Sequence, residues 1–195
     1  MKHYEEDFEK AVAWFEQDIA GFAKIGLQPS KGAPKSRFSA GTATVRKNNG
    51  WFGLAKPPPV EATGPPILPK DVYESFVGDM EKTGFWPGSA YYMHHKRNAE
   101  YNGKAASGSK LSQPVMFIHA AWDLVCETKT SRLAEPMRQA CSNLTEVTVE
   151  AGHWAQYEKP GEVNAALFRF IVEELPGEWP GYWDKGYVKQ KKAVV

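Results

Sequence analysis

Asp123 and His153 are the residues whose type and placement could do chemistry. Each follows a short apolar stretch. One is Pro114-Val-Met-Phe-Ile-His-Ala-Ala-Trp-Asp123; the other, Leu144-Thr-Glu-Val-Thr-Val-Glu-Ala-Gly-His153, carries apolar side chains at Leu144, Val147 and Val149. Both stretches read as strands, and a small-residue turn after the second presents the histidine. An acid past one strand end and a histidine past the next can form an acid–base pair. The carboxylate fixes the imidazole tautomer, and the imidazole takes a proton from water or a hydroxyl. No nucleophile in a strained strand-to-helix turn accompanies them, because no Gly-x-Ser-x-Gly occurs in the chain.

The elements that must position this pair come from 195 residues, enough for one domain of ordinary size. Twenty-four basic and 23 acidic residues give a net charge of +1, which supplies no electrostatic reason to bind nucleic acid or an anionic membrane. The 13% aromatic content favours an apolar ligand pocket. The two cysteines, Cys126 and Cys141, form neither a metal-type spacing nor a disulfide framework, so a reduced, cytoplasmic setting is expected. Cys126 reads as a buried small hydrophobe rather than a nucleophile. The N-terminal residues are too polar for a secretory leader, and no run approaches the ~18 apolar residues of a membrane span. Neither a metal nor a cofactor is expected: His94, His95 and His119 lack a suitably spaced carboxylate.

Along the chain, Tyr4, Phe8, Val12, Phe15, Ile19, Phe22 and Ile25 recur in steps of three and four, which predicts one amphipathic helix over residues 4–25. Eight of the fourteen prolines fall between Gln28 and Pro69, so that stretch is a long loop. Asp71 with Glu74 predicts a capped helix start, with Val72, Phe76 and Met80 facing inward and Gly84 at the end. A further helix is expected from about Ser89 to Tyr101, and a small polar linker follows. The remainder reads strand (Val115 to His119), helix (about Thr128 to Ala140), strand (Leu144 to Val149), helix (Gly161 to Glu174). Such alternation indicates an α/β fold with a parallel sheet. Two strands leave apolar edges and faces uncovered, so this part looks like one end of a larger sheet.

These pieces resemble the α/β-hydrolase superfamily, and within it the soluble epoxide hydrolases. Pro114 to Asp123 is similar to the family's strand bearing the relay acid. Gly152-His153-Trp154-Ala-Gln156-Tyr-Glu158-Lys-Pro160-Gly-Glu162-Val163-Asn164 is similar to its catalytic-histidine motif. Gly84-Phe85, then Tyr92 and Arg97-Asn98, resembles the cap segment that supplies one epoxide-holding tyrosine. Met93, His94 and His95 depart from it, standing where the family usually has Arg-Asn and a short spacer. Tyr4 with Phe8 resembles the segment bearing the second tyrosine. The resemblance covers nearly the whole chain but only the later part of the family's sequence. It implies a partial α/β-hydrolase fold: a helical cap over residues 1–102, with its Pro/Gly-rich loop at 28–69, a linker at 103–113, and the last two β-α units of the core over 114–195. The aromatic tail at Trp179, Tyr182 and Trp183 is expected to pack on that core.

The resemblance implies chemistry as well. In the family a carboxylate attacks a ring carbon of the epoxide and forms an ester, while two phenols hydrogen-bond the departing oxygen. A phenol with a pKa near 10 suits that task, being a donor at neutral pH yet able to share a proton with an alkoxide. Here those phenols would be Tyr92 and Tyr4, and His153 polarised by Asp123 would activate the water that cleaves the ester. Trp154 and Val125 would lie against a small apolar epoxide. The family's nucleophile sits in a Gly-x-Asp-x-Gly turn and its oxyanion loop begins His-Gly; neither occurs in this sequence. Three functions therefore compete. One is an epoxide hydrolase portion that is inactive alone and is completed by an N-terminal half or by association with itself. Another is a stand-alone binding protein. The third is an acid–base enzyme using Asp123, His153 and the tyrosines on a small apolar substrate.

Overall fold

The computed structural model describes residues 2–33, 45–50 and 64–175. Chain order is α1 (Lys2–Phe15), α2 (Ile19–Gly26), α3 (Lys70–Thr83), α4 (Trp86–Ala90), a 3₁₀ turn (Tyr91–His94), α5 (His95–Asn102), β1 (Val115–Ala120), a 3₁₀ turn (Arg132–Ala134), α6 (Glu135–Ala140), β2 (Leu144–Val149), α7 (Ala155–Glu158) and α8 (Pro160–Glu174). The aromatic and basic tail and most of the proline-rich loop lie outside the described residues.

Both expected strands form. Among the described residues they make one two-stranded parallel sheet, with Val115 opposite Leu144 and Ala120 opposite Val149. Because they are parallel, both strands end on the same side, and both functional turns leave from that side. Backbone hydrogen bonds continue past the strand ends: Ala121 N–H donates to the Val149 carbonyl at 2.9 Å and Trp122 N–H to the Ala151 carbonyl at 2.9 Å. The acid-bearing turn is thereby pinned to the turn that carries the histidine.

The helices follow the sequence pattern less closely. The expected single helix over 4–25 is two, α1 and α2, and α1 itself is interrupted at Asp7 (φ −139°, ψ 43°). Asp18 causes the break between them, since its Oδ1 accepts the Gly21 N–H at 2.8 Å and caps α2. The apolar period survives because both pieces pack on one cluster. The capping box expected at Asp71 and Glu74 does not form. Pro69 occupies the cap position, two residues before the expected Asp71, leaving Asp71 in the first turn as a charge near free N–H groups. The inward face of α3 differs too: Val72 and Phe76 are exposed, and Tyr73 turns in to donate its hydroxyl to the Ala20 carbonyl at 2.8 Å. Gly84 ends this helix as expected, at φ 68°.

Pro87 opens α4 before the predicted start at Ser89, and Pro136 delays α6 relative to Thr128; in both cases proline takes a first-turn position. Two apolar clusters result. Ala11, Trp14 and Phe15, with Tyr4, Phe22 and Phe85 against them, hold the helical part together. Val149, Ala151 and Val163, with Ile118 and Ala155, join α8 to the sheet. Among the described residues, no helix is long and apolar enough to cross a membrane.

Candidate active site

Asp123 and His153 meet. Asp123 Oδ2 lies 3.0 Å from His153 Nδ1, and Asp123 is buried while the imidazole remains 41% exposed. The other carboxylate oxygen, Oδ1, accepts the backbone N–H groups of Val125 at 2.7 Å and Cys126 at 3.1 Å. Asp123 is thus a turn-forming residue and the partner of His153 at once, one oxygen for each task. Burial pushes the carboxyl up, but the hydrogen bond from His153 and those from the two backbone N–H groups outweigh it, so it titrates below its ordinary value. The hydrogen bond that His153 donates to Asp123 raises the imidazole above its ordinary value against the opposing effect of burial. With Nδ1–H directed to a carboxylate, Nε2 is left as the basic nitrogen of neutral His153.

The turn that presents His153 is built tightly. Gly152 N–H donates to Glu158 Oε2 at 3.0 Å, which ties the end of α7 back to the turn. A Cβ at position 152 would lie 2.7 Å from Glu158 Oε1 and 2.8 Å from the Ser30 Cβ, so a side chain there would have to displace them. The Trp154 ring stands edge-on to His153, and its Nε1–H donates to the Gly26 carbonyl at the end of α2, at 2.6 Å. That bond ties the histidine turn to the helical part.

A cleft of about 250 Å³ opens beside the pair, with Phe117, Ile118, Asp123, Thr128, His153 and Gln156 among its walls. Val125, half exposed at the acid turn, and Trp154 border the pair without lining this cleft. Tyr4 and Tyr92 also lie outside its walls but come together: their rings stack with centroids 4.7 Å apart and planes 18° apart. Cys126 is exposed at the cleft rather than buried as the sequence suggested, because the Asp123 turn carries it outward. Its thiol is pushed up by partial burial and by the Asp123 charge, which opposes formation of a thiolate.

Sequence reasoning missed Phe117 and Thr128 as cleft residues. Phe117 lies on the same strand face as His119, a period-two signal that was readable. Thr128 carried no signal, since its place depends on the turn after Asp123. His119, weighed above only as a metal ligand, instead bridges Thr128 and Glu146.

Two parallel strands carry an acid on the turn after the first and a histidine on the turn after the second, an arrangement similar to that of α/β-hydrolases. No protein-family model matches the chain. Epoxide hydrolase A of Mycobacterium tuberculosis is 36% identical over 116 residues, which are 58% of this chain and 35% of that protein. Bifunctional epoxide hydrolase 2 of Rattus norvegicus is 28% identical over 136 residues, 69% of this chain and 24% of that protein. Among solved structures, a mutant epoxide hydrolase of Vigna radiata superposes with a TM-score of 0.59 at 25% identity, covering 85% of this chain and 50% of that one. Epoxide hydrolase A of Mycobacterium thermoresistibile gives a TM-score of 0.54 at 24% identity and shares the fold over 84% of this chain and 49% of its own. Over the portion compared, the chain is similar to epoxide hydrolases in sequence and in fold. It spans well under half the length of these curated relatives and about half of each solved chain.

Proposed function

We propose that this chain carries the water-activating and oxygen-holding part of an epoxide hydrolase site, with residues 1–102 as the cap and 114–195 as the later part of the core. The hydrogen bond between Asp123 and His153 at the ends of two parallel strands is the observation that carries this reading. Neutral His153 would take a proton from water through Nε2 as the water attacks an enzyme ester, and Asp123 would stabilise the imidazolium that forms. Tyr92 and Tyr4 would donate hydrogen bonds to the oxygen released from the opened ring; their stacking supports a shared task. Trp154 and Val125, beside the pair, would contact a small apolar epoxide.

Neither Gly-x-Asp-x-Gly nor His-Gly occurs in these 195 residues, so the ester-forming carboxylate and the oxyanion donors are assigned to sequence outside them. The purified chain is therefore expected to show no measurable hydrolysis of a simple aryl epoxide. Its diol product should nevertheless shift the His153 imidazole resonances when titrated in. If the diol leaves His153 untouched, the reading fails. Epoxide turnover that disappears in both His153→Ala and Tyr92→Phe would favour the other reading that the complete Asp–His pair supports, an acid–base enzyme that acts without a second carboxylate.

A further inference from the structure

A second chain of polar side chains runs into the wall of the same cleft. Arg138 on α6 makes a forked contact with Glu146 on β2: Nε lies 2.9 and 3.0 Å from the two carboxylate oxygens, and Nη2 lies 2.7 Å from Oε1. Glu146 Oε1 also lies 2.8 Å from His119 Nε2, and His119 Nδ1 lies 2.9 Å from Thr128 Oγ1. His119 sits on β1 and is only 4% exposed, with the Phe117 ring edge-on at 4.8 Å, whereas Thr128 is partly exposed and lines the cleft. Four residues from α6, β2, β1 and the turn after Asp123 therefore form a chain ending on one hydroxyl in the cleft that His153 also lines.

The direction of these hydrogen bonds follows from what each group can do. Arg138 and His119 hold the Glu146 carboxyl down to about 2, so it is ionised and can only accept. His119 must then donate from Nε2, and in that tautomer Nδ1 accepts. The Thr128 hydroxyl consequently donates to Nδ1 and presents its oxygen lone pairs to the cleft as a fixed acceptor. His153 is in the matching state: Nδ1–H is committed to Asp123, which leaves Nε2 as an acceptor on the same cleft. An apolar wall formed by Phe117 and Ile118 completes the surroundings.

We propose that Arg138, Glu146 and His119 are positioning residues that make Thr128 a specificity-determining acceptor, so that the cleft takes a ligand with an apolar body ending in N–H or O–H donors. The inference rests on the reading of this cleft as the ligand site and narrows its substrate class, from a plain hydrocarbon epoxide to one bearing a hydroxyl or primary amide. Primary amides, with two N–H donors on one nitrogen, match two acceptors; a tertiary amide matches neither.

Benzamide and N,N-dimethylbenzamide test this on the full chain, with binding followed by NMR titration of the ring nitrogens of His153. The expected result is that benzamide binds about tenfold more tightly, a difference of the size of one hydrogen bond to a partly buried acceptor. Thr128→Val should bring that ratio close to one without weakening the dimethyl compound, and Thr128→Ser should keep it. A ratio near one in the parent chain, or one unchanged by Thr128→Val while benzamide still shifts His153, overturns this inference and leaves the site reading standing. If neither probe shifts His153, both fall together.

Discussion

Asp123 and His153 titrate in opposite directions, and their shared hydrogen bond predicts how stability follows pH. Asp123 has a lowered folded pKa, so its contribution is present above roughly pH 4, its unfolded value, and is lost as pH falls through the lower folded value. His153 has a raised folded pKa. Its contribution is full below roughly pH 6.5 and is lost as pH rises through the folded value above that. The two windows overlap between roughly pH 4 and 6.5, where the pair is an ion pair. Asp123→Asn keeps an oxygen for the Val125 and Cys126 N–H groups while removing the charge, so it isolates this effect. We expect it to cost at most ~1 kcal/mol more at pH 5.5 than at pH 9, because water reaches the 41% exposed imidazole and screens the pair. Urea midpoints of the two proteins at both pH values measure it; an equal loss at the two would contradict the assignment of the ion pair. The same raised value means that any water activation by His153 should grow with pH through its titration, since only the neutral ring is a base.

The turn between β2 and α7 is the element on which the site depends most. Gly152→Ala would drive its methyl group against Glu158 Oε1 and Ser30, and moving Glu158 would leave the Gly152 N–H without its acceptor. A loss of about 1–3 kcal/mol in unfolding free energy is expected, the usual size for overpacking, and the His153 resonances should broaden or shift. A neutral Gly152→Ala would mean that the turn relaxes around the methyl without cost. This turn was legible in the sequence because its determinants are local: a strand with Val147 and Val149, a small-residue turn, a proline to open α8. The strand bearing Asp123 was legible for the same reason, and so was the order of acid and histidine. The helical part was less so, because single side-chain bonds decided it. Asp18 ended one helix and started another, and Tyr73 turned α3 by reaching the Ala20 carbonyl, so Val72 and Phe76 came out where periodicity had put them in. Thr128 was illegible altogether, since its role comes from His119 and Glu146, which reach it only through pairing of β1 with β2.

At the scale of the whole molecule, the sheet is the feature that calls for a partner. β1 pairs with β2 along one edge, and among the described residues its other edge meets no strand. Its side chains Val115, Met116, Phe117 and Ile118 are apolar on both faces yet only partly buried, a composition suited to a strand covered on two sides. On α8, Leu167 and Phe168 are 42% and 57% exposed. Solved chains that share this fold extend well beyond the portion compared, which is about half of each. Open strand edges and exposed apolar side chains are surfaces on which proteins associate. The purified chain is accordingly expected to form species larger than its own 21.8 kDa in sedimentation velocity, with the weight-average mass rising with concentration. Leu167→Lys together with Phe168→Lys should lower that mass if α8 takes part in the contact, and leave it unchanged if the strand edge alone does. A chain that stays monomeric at all concentrations and unfolds cooperatively would instead be complete as a folding unit. Such behaviour would shift the balance toward a stand-alone protein that binds through this cleft, because a sheet needing a partner to cover it would not unfold as one independent cooperative unit.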